Sequence, residues 1–143
     1  MIKTTVKTTN ETNQAAVVKA AVGRRKRAVA RVRMYLGEGE SLINGKPAND
    51  FCHTVNQKKQ IANPLIVSGL TEKYYYSAKV VGGGINGQVG AVAHGISRCI
   101  AELSDSLRTT MSQNGLLRRD PREKERKKIY RVRARKMPQF AKR

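Results

Sequence analysis

KYYYSAKVV, residues 73–81, runs directly into GGGINGQVGAVAHG, residues 82–95. The tyrosine cluster and closing valines of the first stretch predict a half-buried strand. The glycines of the second predict a tight turn. A helix from about Gln88 to Met111 follows, because Val89, Val92, Ile96, Cys99 or Ile100, Leu103, Leu107 and Met111 recur three and four residues apart. Ala91, His94, Arg98 and Glu102 fall on another stripe of that helix. A strand that turns on glycines into an amphipathic helix implies a helix folded back onto a sheet.

The preceding residues supply the rest of the sheet. Residues 28–36 (AVARVRMYL) alternate, with Ala28, Ala30, Val32, Met34 and Leu36 on one face. Val29, Arg31, Arg33 and Tyr35 share the other, and Arg25 and Arg27 extend that row if the strand starts early. Gly37 and Gly39 mark a turn into a short strand at 41–43, so a hairpin with one apolar and one basic face is expected. Asn44-Gly45 is a tight-turn signal. Thr54-Val55-Asn56-Gln57 fits a capping box. Pro64 predicts a break near Asn63 and a second short helix that Gly69 closes. Gly115 ends the helical region. Asp120-Pro121-Arg122-Glu123 is a second capping box, predicting a short basic helix to about Lys128, and residues 129–143 read as an extended arm. Fifteen extended residues reach roughly 50 Å. The order gives an α+β, two-layer domain, with helices on one face of a small sheet. The expected divisions are a disordered extension over 1–21, the domain over 22–117 and a basic tail over 118–143.

Charge is segregated along the 143 residues. The formal net charge is +19, from 29 Lys and Arg against 10 Asp and Glu. Residues 24–33 carry +6 and residues 118–143 carry +10, whereas the long middle, 34–117, carries only +1. Such placement points to a polyanion, first of all nucleic acid. No run of about 18 apolar residues suggests a membrane span, and no apolar signal core opens the chain. Cys52 and Cys99 lack metal-ligand spacing and read as reduced thiols. No metal, cofactor or catalytic constellation is expected: His53 and His94 have no triad partners, and no HExxH, Walker or paired-carboxylate pattern occurs.

Three constellations remain. Gly82-Gly83-Gly84-Ile85-Asn86-Gly87 formally matches a dinucleotide-binding fingerprint, but the second parallel strand and its acidic residue are missing. The turn either allows close backbone approach or offers helix-start N–H groups, around Gly83, Gly84, Gly87 and Gln88, to an RNA phosphate. The strip Arg24, Arg25, Lys26, Arg27 continuing to Arg31 and Arg33 sets guanidiniums about 6.6 Å apart on alternate strand positions, a spacing suited to successive phosphates. The alternative is a solvated strand face, although such faces usually mix signs. In the tail, Tyr130 and Phe140 stand among 13 cations. Aromatics there can stack on unpaired bases or plug a pocket on a neighbouring protein, and a nuclear-localisation signal is the generic reading of such a run.

Gly23-Arg24-Arg25-Lys26 continuing to Ala30-Arg31-Val32, the stretch Gly82–Gly95, and the end (RDPREKERKK, then PQFAKR) together closely resemble the S-nine family of small-subunit ribosomal proteins, of bacterial or organellar type. The resemblance runs from about Val22 to Arg143. It implies an α+β ribosomal domain with an extended basic tail, acting as a structural component on a cytoplasmic or organellar ribosome. Its implied partners are 16S-type ribosomal RNA in the head, neighbouring head proteins and, at the tail's end, peptidyl-site transfer RNA. Carried over by motif, the implied ribosomal-RNA contacts are Arg24, Arg25, Lys26, Arg31 and the Gly-rich turn; Arg27, Arg33, His94 and Arg98 join them as candidates by their charge and place in the pattern. In the tail the implied contacts are Arg118, Arg119, Arg122, Lys124, Arg126, Lys127, Lys128, Arg131, Arg133, Arg135 and Lys136. Lys142 and Arg143 match the residues that approach transfer RNA. Arg27, Ala93 and Ala141 depart from residues common in the family. A generic basic protein that compacts DNA or RNA is the rival reading.

Overall fold

The computed structural model describes residues 17–141. Five strands form one sheet: β1 (Val17–Arg25), β2 (Ala28–Leu36), β3 (Leu42–Ile43), β4 (Lys46–Pro47) and β5 (Tyr74–Val81), ordered β1-β2-β5-β3-β4. The helices are α1 (Ala48–Phe51), α2 (Val55–Ser68), α3 (Ile85–Ala101) and α4 (Asp105–Gln113). Alternation along β2 holds through Met34, but Leu36, expected on the same apolar face, ends the strand beyond the helices and is 61% exposed. Ala28, Ala30, Val32 and Met34 are buried beneath the helices, while Val29, Arg31 and Arg33 are exposed on the opposite face. Tyr76, Ala78 and Val80 of β5 continue the buried side. They meet Val89, Val92, Ile96, Cys99 and Ile100 of α3 in the core. Burying each large aliphatic side chain there contributes about 1.5–3 kcal/mol.

The strand pairing differs from the expected hairpin. β2 pairs antiparallel with β1 on one side and with β5 on the other, so β5 separates it from β3. β3 runs parallel to β5 and returns through Asn44-Gly45 into β4. Both turn residues have positive φ, 52° and 79°, as a two-residue hairpin turn requires. The Asn44 amide also pairs with the main chain of Val80, accepting from its N–H at 2.8 Å and donating to its carbonyl at 3.1 Å.

β1 begins at Val17, inside the stretch expected as extension. Its helix-facing positions are Lys19, Ala21, Gly23 and Arg25, none a large hydrophobe, so no apolar alternation announces it. The reason is the closeness of α3: a Cβ at Gly23 would lie 1.9 Å from the Ala91 carbonyl oxygen and 2.4 Å from the Gly95 nitrogen. Three glycines inside α3 each weaken the helix by about 1 kcal/mol relative to Ala. Gly90 and Gly95 are buried at this contact, and the close approach offsets that cost.

Thr54 and Gln57 form the expected capping box, with Gln57 Oε1 accepting the Thr54 N–H at 3.2 Å. The expected break at Asn63 does not occur. α2 continues through Pro64, whose ring is buried in the core, and packing outweighs the lost intrahelical bond. Gly69 ends α2 with φ 66°. The single helix expected over 88–111 is two. α3 starts earlier, at Ile85, and Ser104, extended at φ −157° and ψ 148°, stands at the N-cap position of α4, its hydroxyl bonded to that of Ser106 at 2.9 Å. Met111 of α4 returns to the core, and Gly115, at φ 68°, reverses the chain after it.

Residues 121–128 form no helix. The second capping box leads instead into an Asx turn, with the Arg122 N–H donating to Asp120 Oδ1 at 3.0 Å. The run has no apolar face to bury, and a helix this short does not hold without one. Within the arm, the Val132 N–H donates to the Lys136 carbonyl at 3.0 Å.

Candidate nucleic-acid interface

The basic row expected from the sequence is split in two by the β1–β2 turn. Lys26 and Arg27 form that turn, with Lys26 at φ 50°. Arg25 therefore sits on β1 opposite Ala28, on the helix side, and not in line with Arg31 and Arg33. Arg31 and Arg33 lie on the open sheet face, where Arg31 pairs in register with Lys79 of β5. Further along the same face Tyr35 and Tyr75 stack, with ring centroids 5.1 Å apart. Lys79 belongs to no motif of the sequence. Its alternate position in the strand 73–81 is the signal that could have placed it on this face.

The hairpin tip meets the Gly-rich turn. A Cβ at Gly82 would come within 2.6 Å of the Arg27 carbonyl oxygen, and one at Gly83 within 3.2 Å of Ala28. Gly87 faces Arg25 and Lys26. Gly84 faces open space at the start of α3. The turn thus serves close packing, and two of the N–H groups expected for a phosphate are already used: Gly87 and Gln88 donate to the Gly84 carbonyl at 2.8 and 3.0 Å, which leaves the exposed residues Gly84, Ile85 and Asn86 as the open start of α3 beside Lys26 and Arg27. The Gln88 side chain donates to the Gly82 carbonyl at 3.2 Å, closing the turn. The Gln57 amide donates to Asn86 Oδ1 at 2.7 Å, tying the starts of α2 and α3 together.

His94 is engaged within the protein on both ring nitrogens. The Arg24 N–H donates to Nδ1 at 3.3 Å, and Nε2 meets the Leu117 carbonyl at 3.2 Å. An Nδ1 that accepts is unprotonated, so the neutral ring carries its proton on Nε2 and donates it to Leu117. Burial holds the imidazole below its usual pKa, against the hydrogen bond to Leu117, and the Arg98 and Arg119 charges lower it further. Arg98 itself donates to the Val22 carbonyl at 2.6 Å. Both residues join α3 to β1.

The tail's acidic residues, which the charge count alone treats as minor, organise its root. Arg25 pairs with Asp120 at 3.3 Å and Arg27 with Glu123 at 2.7 Å, while Glu125 holds Arg135 at 2.6 Å. Arg122 grips Asp120 through Nε and Nη2, at 3.0 and 2.9 Å, and with the Arg25 charge keeps that carboxyl well below the carboxylate range. Arg118 and Arg119 are exposed and line a cleft with Arg24 and Arg25. Lys124, Arg126, Lys127 and Lys128 are exposed, as are Arg133 and Lys136, and Arg131 is half-buried. Tyr130 and Phe140 are 91% and 89% exposed among the described residues. Lys142 and Arg143 lie outside the described residues.

Four consecutive cations, an exposed helix start and the root of a cationic tail therefore meet at one end of the domain. The family described as Ribosomal protein S9/S16 matches residues 23–143. The chain belongs to the S-nine ribosomal protein family. The small ribosomal subunit protein uS9 of Dehalococcoides mccartyi is 49% identical over 122 residues, covering 85% of this chain and 92% of that protein. The protein of the same name from Gloeobacter violaceus is 44% identical over 132 residues, covering 92% of this chain and 99% of its own. As a bacterial-type S-nine member the chain is a structural constituent of the small ribosomal subunit and not an enzyme. No helix of the described residues is long and apolar enough to cross a membrane.

Proposed function

We propose that the basic end of the domain binds 16S-type ribosomal RNA in the head of the small subunit, and that the tail's last residues reach peptidyl-site transfer RNA. One observation supports the first part most. Charge from two distant stretches, 24–27 and 118–128, converges beside the exposed start of α3, while the body between them is nearly neutral. Guanidiniums and helix-start N–H groups are both phosphate ligands. The mechanism is electrostatic and positional, with no chemical step. The transfer-RNA role rests on the terminal Lys142-Arg143 of the family resemblance. The ribosome it serves is cytoplasmic in this reading, and neighbouring head proteins complete its surroundings.

Replacing Arg24, Arg25 and Arg31 with Ala together should impair incorporation into small subunits in competition with the wild-type chain. Equal incorporation would refute the ribosomal-RNA role. Deleting Lys142 and Arg143 should leave incorporation intact and weaken transfer-RNA occupancy of the peptidyl site. Normal occupancy on such subunits would remove the tail's assigned role.

A further inference from the structure

We infer that the cleft at the root of the tail is a site for one RNA backbone phosphate, and that Asp120 holds that place until RNA displaces it. The inference deepens the ribosomal-RNA reading above and rests on it. The cleft measures about 260 Å³ and lies between β1, α2, α3 and the turn after α4. Arg24, Arg25, Arg118 and Arg119 line it, and Asp120 is its one acidic residue. A carboxylate presents to a guanidinium the same kind of paired oxygens as a phosphate does.

Asp120 is an incomplete partner for Arg25. The contact is one N–H at 3.3 Å, near the long limit for a hydrogen bond. The Arg25 Nε–H is buried with no partner among the described residues. Gly90 allows this placement: a Cβ there would fall 2.2 Å from Arg25 Cδ, so the side chain lies directly over the helix backbone. A guanidinium so placed, with donors left over, is matched to a ligand offering more acceptors than Asp120 supplies.

The exchange is easy for the carboxylate as well. The shorter bonds of Asp120 go to Arg122, at 2.9 and 3.0 Å, together with the Arg122 N–H at 3.0 Å. Asp120 can leave Arg25 and stay neutralised by its chain neighbour. The Arg27–Glu123 pair is a second exchangeable contact of the same kind, with side chains 75% and 42% exposed. Exposed pairs hold weakly, so a polyanion with many phosphates outcompetes them. Once both are exchanged, the tail's root is released from the hairpin tip at the moment the tip engages RNA.

The test measures binding of the full chain to a 16S ribosomal RNA transcript by filter retention. Asp120→Asn should bind about fivefold tighter than wild type, the effect of removing one competing charge-assisted contact. Glu38→Gln, which removes the same charge from the exposed turn after β2, should stay within about twofold, as expected for a distant screened charge. Glu123→Gln should also bind tighter, reporting the same exchange at Arg27; if Asp120→Asn does not fold, Asp120→Ser, which keeps an acceptor for the Arg122 N–H, takes its place in the test. Tightening no greater than that of Glu38→Gln would overturn the inference. Weaker binding would overturn it too, by showing that the acids fasten the tail in its binding pose. A wild-type chain that does not prefer the 16S transcript over an unrelated RNA of equal length would instead refute the ribosomal-RNA reading itself.

Discussion

Gly23 and Gly84 both belong to the motifs that carry the family resemblance, yet their structural demands are opposite. A side chain at Gly23 would collide with main-chain atoms of α3, which cannot yield as a flexible side chain can, while Gly84 faces open space. Gly23→Ala should therefore destabilise the domain by at least about 3 kcal/mol, the upper end of overpacking costs. Gly84→Ala should leave the denaturant midpoint nearly unchanged. Chemical unfolding of the two variants checks this directly. His94 offers a second test. Its folded-state pKa is lowered, so the unfolded chain binds the proton more readily. Stability from this residue is complete above about pH 6.5, the ordinary histidine value, and is lost as pH falls below it. Thermal melts from about pH 7.5 to about pH 5 should show a declining midpoint, and a smaller decline for His94→Gln. Identical slopes would show that the ring is not held neutral. The sequence placed His94 on the correct helical stripe, but its bonds to Arg24 and Leu117 join residues 70 and 23 positions away. No local pattern encodes such a pairing.

Elements were legible where local chemistry sets them. The strand at 74–81, the capping box before α2, the Asn44-Gly45 turn and the glycine stops at 69 and 115 follow from propensity and turn geometry. Elements set by tertiary contact were not legible. β1 carries small and basic residues toward α3 because nothing larger fits, so its hydrophobic period vanishes. α2 continues through Pro64 because the ring fills the core. The apolar stripe crosses the α3–α4 break intact, since Leu103, Leu107 and Met111 keep their spacing, and only Ser104-Asp105 marks the new cap. Side-chain contact also couples elements: Gln57 both caps α2 and reaches Asn86 at the start of α3. Gln57→Ala removes both roles and should lower stability by about 1–2 kcal/mol. Asn86→Ala, which removes only the bridge, should cost less. Equal losses in equilibrium unfolding would show that the bridge, not the cap, carries the effect.

For the whole molecule, a net charge of +19 resolves into a nearly neutral body and one cationic end. The sequence located the charges, but the fold brings the tail's root against the hairpin tip through Asp120 and Glu123. That convergence predicts a steep salt dependence of RNA binding. Each phosphate-binding cation that is replaced should reduce the log–log salt slope by about 0.7–0.9, so Arg24→Ala with Lys26→Ala should flatten it by roughly 1.4–1.8. An unchanged slope would mean that other cations bind the phosphates. The most direct measurement is a high-resolution cryo-electron microscopy map of the small subunit carrying this chain. Ribosomal-RNA phosphates should lie within hydrogen-bond distance of Arg24–Arg27 and of the exposed start of α3 at Gly84. A hairpin tip facing solvent or only protein in that map would contradict it.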